Sequence, residues 1–326
     1  MRFGIIGTNW ITETFIDAAR ETGEFTLTAV YSRTEDKAQD FAQKYDIPYR
    51  YTDLETFARS GEFDAVYIAS PNSLHVEQAI LCMNHGKHVL CEKPAASNAN
   101  ELAAMIATAR ENKVIFMEAL KTTLLPNFQA IQDNLHKLGP IRRYFASYCQ
   151  YSSRYDAYKQ GTVLNAFNPA FSNGSLMDLG IYCIYPLAVL FGKPERIQAS
   201  AILLESGVDG EGSLLLGYKE MDAVIMHSKI TSSYAPTEIQ GENGTMVIDK
   251  INEPEHVEIR YRNGVVENLT RDQSRKNMVY EAAEFIRLIK NGELESSTNS
   301  HATSLVAAEI MTEARRQVGL VFPADN

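Results

Sequence analysis

The sequence predicts an α/β protein of two domains: an N-terminal doubly wound parallel sheet over residues 1–121, then an α+β domain over 122–326 with an open, mainly antiparallel sheet. Three observations carry this expectation. Over roughly the first 120 residues, short apolar runs alternate with helix-like segments, the order that a parallel sheet with crossover helices requires. The first run, Arg2-Phe3-Gly4-Ile5-Ile6, passes straight into Gly7-Thr8-Asn9-Trp10-Ile11-Thr12 and a helical stretch to Arg20, giving strand, tight turn and helix. Further on the pattern changes, and alternating or β-branched stretches dominate residues 141–151 and 197–266, as expected of antiparallel strands with one covered face.

The first turn is the place where such a fold sets a dinucleotide pyrophosphate on a helix amino terminus, whose free N–H groups and dipole favour an anion. Of the glycine fingerprint only the first position, Gly7, is kept; Asn9 stands at the second and Thr12 at the third. Asparagine tolerates positive φ better than other non-glycine residues, so the turn survives with Asn9 there, while Thr12 implies wider helix-to-strand spacing. The candidate cofactor contacts in this turn are Gly7, Thr8, Asn9, Trp10 and Ile11.

The second strand, residues 26–31, ends in Ser32-Arg33-Thr34, where an NAD-binding fold carries an acid for the ribose 2′-hydroxyl. No acid stands there. A hydroxyl and a guanidinium suit a 2′-phosphate, so NADP is the preferred cofactor and NAD a possible one; the alternative is that Ser32-Arg33 is only a polar strand exit. Thr34 reads as the N-cap of a helix through Tyr45, with Glu35 and Asp36 in its first turn.

Residues 64–69 are apolar, 72–84 helical, 87–91 apolar, 98–112 helical and 114–117 apolar. Ser70-Pro71-Asn72 punctuates a strand end; Asn72 either contacts the cofactor or caps its helix, and His75, one turn on, reads as a structural histidine. The run His88-Val89-Leu90-Cys91 ends in Glu92-Lys93-Pro94, which holds a lysine at the carboxyl end of a strand, where open α/β sheets bind ligands. The proline biases Lys93 toward extended backbone, and an X-Pro bond is the one place a cis peptide is cheap. Lys93 is thus aimed from the strand end; the plain alternative is a solvated surface lysine.

In the second domain Glu242-Asn243-Gly244 and Asn263-Gly264 signal hairpins, and helices are expected over 276–290 and 301–318, separated by the polar stretch 291–300. The chemical constellation there is Gly174-Ser175-Leu176-Met177-Asp178-Leu179-Gly180-Ile181-Tyr182, opening an amphipathic segment that runs to Phe191. On a helix, Asp178 and Tyr182, four apart, share one face. A carboxylate and a phenol in an apolar stretch cost energy unless paired or hydrated. The alternative is that Asp178 caps a helix start and Tyr182 fills core.

A chain of 326 residues has room for two substantial cores. Its formal net charge of −10 argues against a nucleic-acid partner. No long apolar span or secretory signal precedes the first strand, which begins almost at Met1, so no membrane association is expected. Cys82, Cys91, Cys149 and Cys183 show neither metal spacing nor a disulfide framework, and a reducing cytoplasm is the expected compartment. The seven histidines do not cluster with carboxylates at ligand spacings, so no metal site is expected.

Taken together, the Gly7 turn, Ser70-Pro71-Asn72 with His75, Cys91-Glu92-Lys93-Pro94, and Gly174 through Tyr182 with Asp178 resemble the family of glucose–fructose oxidoreductase, inositol dehydrogenase and MocA-like oxidoreductases, over essentially the full length. The resemblance implies a Rossmann domain and an NAD(P)-dependent oxidoreductase that transfers a hydride between nicotinamide and a sugar, polyol or cyclic diol. It adds Ser70, Pro71, Asn72, His75, Glu92 and Lys93 to the cofactor-binding residues, and makes Lys93, Asp178 and Tyr182 the catalytic ones. Many members carry histidine four residues after the aspartate, whereas this chain has Tyr182. That departure, with Glu118-Ala119-Leu120 leading to Leu124-Leu125-Pro126, looks most like the branch of dimeric dihydrodiol dehydrogenases and NADP-dependent xylose dehydrogenases. Similarity to that branch implies NADP, a Lys93/Tyr182 acid–base pair and a homodimer through the second domain's sheet.

The residues also support the chemistry on their own terms. Moving a hydride from a carbinol carbon requires that the hydroxyl proton leave as the carbonyl forms, so a base must sit beside that oxygen. A free phenol with a pKa near ~10 is a poor base, but a neighbouring ammonium favours the phenolate. Lys93 can supply that charge to Tyr182; alternatively Lys93 is the direct proton shuttle and Tyr182 positions substrate. Asp178 either orients Lys93 or binds a substrate hydroxyl. The resemblance and the lack of an arginine cluster point to a small, neutral, polyhydroxylated substrate or a cyclic diol, and Lys121, Arg154, Tyr155, Tyr158 and Asn165 fall in segments that can line its cleft. A different class of function is a silent sensor or regulatory protein that binds dinucleotide and sugar without turnover. The degraded glycine turn favours it; the joint presence of Lys93, Asp178 and Tyr182 opposes it.

Overall fold

A computed structural model describes all residues from Met1 to Asn326. The chain forms two compact units, Met1–Lys121 with Arg275–Ala302, and Thr122–Ser274 with Thr303–Asn326. The second unit is therefore not the continuous stretch that the sequence suggested. A helix from Met278 to Asn291 returns to the first unit, where Phe285 is fully buried with its ring centroid 6.1 Å from that of Phe3. Asn299 follows, donating from Nδ2 to the carbonyls of Glu118 and Leu120 at 3.1 and 3.2 Å. An amphipathic pattern says that a helix face is buried but not against what.

In the first unit the elements are β1 (Arg2–Ile6), α1 (Trp10–Ala19), β2 (Thr26–Tyr31), α2 (Glu35–Tyr45), β3 (Tyr49–Tyr51), α3 (Leu54–Arg59), β4 (Ala65–Ile68), α4 (His75–Asn84), β5 (His88–Glu92), α5 (Ala99–Asn112) and β6 (Phe116–Ala119). The six strands lie in the order β3-β2-β1-β4-β5-β6, every pairing parallel. β4 and β6 are buried at every position, which is why they read as continuous apolar runs rather than alternating ones. β3 is only Tyr49-Arg50-Tyr51 and carries no such run. Strand order reverses between β1 and β4, the switch point at which such sheets bind ligands outside their carboxyl ends. Phe15 of α1 stacks on Tyr67 of β4 at 3.8 Å and ties helix to sheet at that point.

The second unit carries α6 (Pro126–Asn134), β7 (Ile141–Cys149), α7 (Ser153–Lys159), α8 (Ile181–Phe191), β8 (Arg196–Leu203), β9 (Asp209–Gly217), β10 (Asp222–Ser228), β11 (Thr237–Gly241), β12 (Gly244–Ile248), β13 (Val257–Tyr261) and β14 (Val266–Asn268); α9 is the returning helix, and α10 (His301–Val318) crosses the unit boundary in its first turn. Its eight strands run β14-β13-β12-β11-β7-β10-β9-β8, all antiparallel except for β7 beside β10. Alternation specifies which side chains face inward, not strand direction, so the one parallel pair was invisible in the sequence. The predicted turns Glu242-Asn243-Gly244 and Asn263-Gly264 join β11 to β12 and β13 to β14, with Gly264 at φ +85°. One face of the sheet is covered: Tyr144, Ala146, Leu214, Leu216, Ala223 and Ile225 are buried. The register sets Leu215 against Val224 and Val224 against Phe145 on the other face, where Leu215 is 46% exposed. Residues Pro169–Phe191 are apolar and long enough by composition to cross a membrane, and 72% of that window is buried in the fold.

Candidate active site

The sequence-predicted cofactor residues fall at the carboxyl ends of β1, β2, β4 and β5. Gly7 leaves β1 at φ +103°, and a Cβ there would lie 2.6 Å from the carbonyl oxygen of Ala69, so only glycine fits. Asn9 does not use the tolerance of positive φ expected of it: at φ −99° and ψ 176° it is the extended N-cap of α1, its Oδ1 accepting from the N–H groups of Ile11 and Thr12. Its Nδ2 donates to Ala69 O at 2.7 Å and joins the first turn to the end of β4. Thr12 is fully buried and Trp10 is 66% exposed. At the end of β2, Ser32 is buried and Arg33 exposed, and Thr34 occupies the N-cap of α2 without a side-chain capping bond.

Asn72 opens a 3-10 turn, Asn72–Leu74, whose N-cap is Pro71, while the N-cap of α4 is Leu74, so Asn72 is the N-cap residue of neither. His75 is fully buried, with Nε2 2.8 Å from Ser70 O and Nδ1 3.0 Å from Pro94 O. Burial pulls its pKa down, so the ring is a neutral structural link between the loops after β4 and β5. Lys93 is half-buried, and the Lys93–Pro94 bond is cis. The N–H of Ala95 is held by Glu118 Oε1 at 2.9 Å. Glu92 accepts from the Tyr67 hydroxyl at 2.5 Å and from the Lys93 N–H at 3.3 Å. Burial pushes the Glu92 carboxyl up, opposed by the charge of Lys93 and the Tyr67 bond. Glu281 of α9 lies in the same field, fully buried, with no hydrogen-bond partner for either oxygen. Its carboxyl is pushed well above the usual range by burial and then by Glu92, with Lys121 opposing. Lys121 thus stands within the reach of two buried acids.

In the second unit, Leu176–Gly180 is a π-helical turn that runs into α8. Asp178 and Tyr182 therefore belong to two kinds of turn, and Asp178 does not cap a helix start. Beneath the turn lies a buried polar node. Asp209, the first residue of β9, accepts the Leu176 N–H on Oδ2 at 2.6 Å, and Ser175 Oγ lies 2.9 Å from Nδ1 of His227. Gly174, at φ +142°, has room for no Cβ, which would meet Asp209 Oδ1 at 2.1 Å; a Cβ on Gly180 would meet the His227 ring at 3.2 Å. Burial pushes Asp209 up to about 6 and His227 down to about 3. Asp178 pairs with Lys229, whose Nζ donates to Oδ2 at 2.8 Å. Tyr182 is half-buried and meets Tyr148 edge-on, with ring centroids 5.6 Å apart. Asn165 is exposed in the turn Asn165–Phe167, and Tyr155 and Tyr158 of α7 pack against Phe167 at 5.7 and 5.4 Å; Arg154 is exposed.

Residues 1–120 match the family model described as oxidoreductase family, NAD-binding Rossmann fold, and residues 131–247 match the GFO/IDH/MocA C-terminal domain. The chain belongs to this family. It is 58% identical over 326 residues, 100% of the chain and 99% of the relative, to scyllo-inositol 2-dehydrogenase (NADP(+)) IolU of Bacillus subtilis. It is 32% identical over 341 residues, 100% of the chain and 99% of the relative, to trans-1,2-dihydrobenzene-1,2-diol dehydrogenase of Mus musculus. Among solved structures, a levoglucosan dehydrogenase in complex with NADH and levoglucosan shares the fold with a TM-score of 0.88 at 17% identity, covering 98% of this chain and 97% of that one. The protein is an NAD(P)-dependent oxidoreductase, and the reading as a silent sensor falls away.

Sequence reasoning missed Asp209, His227 and Lys229, polar residues at or near the ends of β9 and β10 that look like ordinary strand termini. It also missed Glu281, which did leave a signal: it stands three residues after Met278 and four before Phe285, on the buried face of α9. The node beneath the π turn has a testable pH signature. Asp209 moves from 3.8 to about 6 on folding, so the stability it contributes is full below 3.8 and lost as pH rises through about 6. His227 moves from 6.5 to about 3, so its contribution is full above 6.5 and lost as pH falls through about 3. Between about 4 and 6 the two slopes oppose each other. Asp209→Asn leaves the histidine slope uncompensated, and the variant is expected to lose stability more steeply than the parent on acidification from about pH 6 to 4. Urea unfolding across that range measures this; parallel curves would mean that Asp209 does not titrate there.

Proposed function

We propose that this chain is an NADP-dependent dehydrogenase of cyclic polyols, with scyllo-inositol as the leading substrate, which takes the proton with Lys93, Asp178 and Tyr182 and holds the cofactor on the strand-end loops of the first unit. The observation that carries this reading is the 58% identity, over the whole of this chain, with an NADP-dependent scyllo-inositol 2-dehydrogenase. The loops fit a dinucleotide. Gly7 lets a pyrophosphate approach the backbone at the start of α1, with Thr8, Asn9, Trp10 and Ile11 around it. Ser32 and the exposed guanidinium of Arg33 suit a 2′-phosphate. Ser70, Pro71, Asn72, Glu92 and Lys93 complete the set, with His75 supporting it from beneath.

The bound nicotinamide supplies the hydride acceptor. Tyr182 takes the hydroxyl proton as the carbinol carbon gives up its hydride, and the Lys93 ammonium favours the phenolate that does so. Asp178, held by Lys229, accepts a substrate hydroxyl or orients Lys93, with Lys121 and Asn165 toward the substrate. In the reductive direction Tyr182 returns the proton to the carbonyl oxygen. The edge-on packing of Tyr182 against Tyr148 favours a second reading, in which the fixed ring positions substrate and Lys93 is the shuttle. Four free thiols suit a cytoplasmic protein.

The cofactor assignment is tested by titration. NADP⁺ is expected to bind more tightly than NAD⁺, and Arg33→Ala to weaken NADP⁺ alone by roughly tenfold or more, the size of one charge-assisted phosphate contact. Equal dissociation constants in the parent protein would remove it. A spectrophotometric screen of inositols, aldoses and trans-dihydrodiols with NADP⁺ is expected to give its largest kcat/KM with scyllo-inositol; no turnover of any inositol would end the substrate assignment.

For the proton step, Tyr182→Phe is expected to lower kcat by ~10²- to 10⁴-fold with NADP⁺ affinity nearly unchanged. Lys93→Met is expected to be at least as damaging, and the two losses to be far from additive. If only the lysine variant fails, Lys93 is the shuttle; if neither fails, the mechanism is wrong.

The open sheet face suits a homodimer interface, since Leu215 and Ile202 stand 46% and 54% exposed on it. A dimer is expected in sedimentation, and Leu215→Glu is expected to shift it toward monomer. A parent protein that sediments as a monomer would exclude the dimer.

A further inference from the structure

Lys229 stands one residue past β10, and its side chain is only 3% exposed. Its backbone is fixed on both sides: the N–H donates to Gly210 O at 2.9 Å and the carbonyl accepts the Ser152 N–H at 2.8 Å. The ammonium donates to Asp178 Oδ2 at 2.8 Å and to Ala166 O at 3.1 Å, and lies 5.2 Å from the Phe167 ring centroid. One buried cation thus joins the end of β10, the π-helical turn and the turn Asn165–Phe167.

Stability alone does not account for this arrangement. Burying an ammonium carries a desolvation penalty that its partners repay only with good geometry, and an apolar pair of similar volume in place of both partners is often no less stable. The pair is also asymmetric: the lysine is sealed, while the Asp178 side chain is 36% exposed. A carboxylate anchored through one oxygen by a sealed cation keeps its negative charge and a single orientation. Other titratable groups of this region are Asp209 of β9, which feels the Lys229 charge, His227 of β10, 3.7 Å from Asp209, Tyr182 one turn past Asp178, and Tyr155 and Tyr158 against Phe167.

We propose that Lys229 is a positioning residue of the dehydrogenase. It holds Asp178 ionised and aimed for its role in the proton step, and pins the Asn165–Phe167 turn beside it. The inference rests on the assignment of Asp178 made above, and a double-mutant cycle separates the two. Turnover of the polyol that the parent oxidises with NADP⁺ is measured for Lys229→Met, Asp178→Asn and the double variant, with circular dichroism to confirm folding. Lys229→Met is expected to lower kcat by about 10- to 100-fold while the NADP⁺ dissociation constant stays within about twofold, and the double variant to be no slower than Asp178→Asn alone. Lys229→Gln, which keeps a donor but not the charge and is one bond shorter, is expected to fall with Lys229→Met and serves in its place should the methionine variant not fold. Normal turnover in the lysine variants beside a crippled Asp178→Asn overturns the positioning role alone. Losses that multiply in the double variant overturn it as well, because they show Lys229 acting independently of Asp178. An unimpaired Asp178→Asn overturns the underlying assignment, and the positioning role with it.

Discussion

Asp209 accepts the Leu176 N–H at 2.6 Å from inside the second unit, and the placing of Asp178 and Tyr182 follows from that bond. A helix start leaves N–H groups without partners, and a buried start must find acceptors elsewhere. Here the acceptor comes from β9 and occupies the space a Cβ on Gly174 would fill. Ser175 turns its hydroxyl to His227, and Gly180 leaves room for that imidazole. Both glycines of the Gly-x-x-x-Asp-x-Gly string thus exist for side chains brought by neighbouring strands. The aspartate between them is carried on a π turn, a rare geometry that recurs at functional sites.

The first unit solves a different problem. Four loops leave parallel strands at one edge of a sheet, and loops of this kind have backbone groups to satisfy and nothing regular to satisfy them with. Asn9 binds the end of β4, His75 spans the loops after β4 and β5, and Glu118 of β6 holds the Ala95 N–H. Each link uses a side chain to bond backbone, so loop positions are fixed without crowding the edge where a ligand approaches. Thr12, in place of the third fingerprint glycine, is fully buried, and Asn9, in place of the second, serves as a helix cap. The fingerprint has been rewritten here in capping chemistry.

How much of this was legible in the sequence depends on range. The parallel sheet was legible because strands such as β4 and β6, buried on both faces, spell themselves as apolar runs, and the hairpins because Asn263-Gly264 and Asn243-Gly244 sit in their turns. Lys93 drew notice because it stands at the carboxyl end of an apolar strand, and Asp178 and Tyr182 because they are polar groups in an apolar stretch. The partners of those residues did not. Lys229 is separated from Asp178 by 51 positions and Asp209 from Leu176 by 33, and only strand order and register, which one sequence does not specify, bring them together. The return of α9 to the first unit was hidden for the same reason.

The tripeptide Glu92-Lys93-Pro94 also takes on a different sense in the fold. Glu92 and Glu281 are both buried, and the charge of Glu92 raises the cost of ionising Glu281. Glu92 receives bonds from Tyr67 and from the Lys93 N–H, while no donor faces Glu281. Burial raises both carboxyls; at Glu92 the charge of Lys93 and the bonds from Tyr67 and the Lys93 N–H oppose it, at Glu281 the charge of Lys121. The charge of the half-buried Lys93 is thus set against the buried Glu92. The second unit repeats the device with signs reversed: buried Lys229 beneath half-exposed Asp178. In each unit a buried group of opposite sign stands next to the accessible one. Under the proposed proton relay this matters, because a lysine or aspartate free to neutralise would no longer favour a phenolate or orient a hydroxyl.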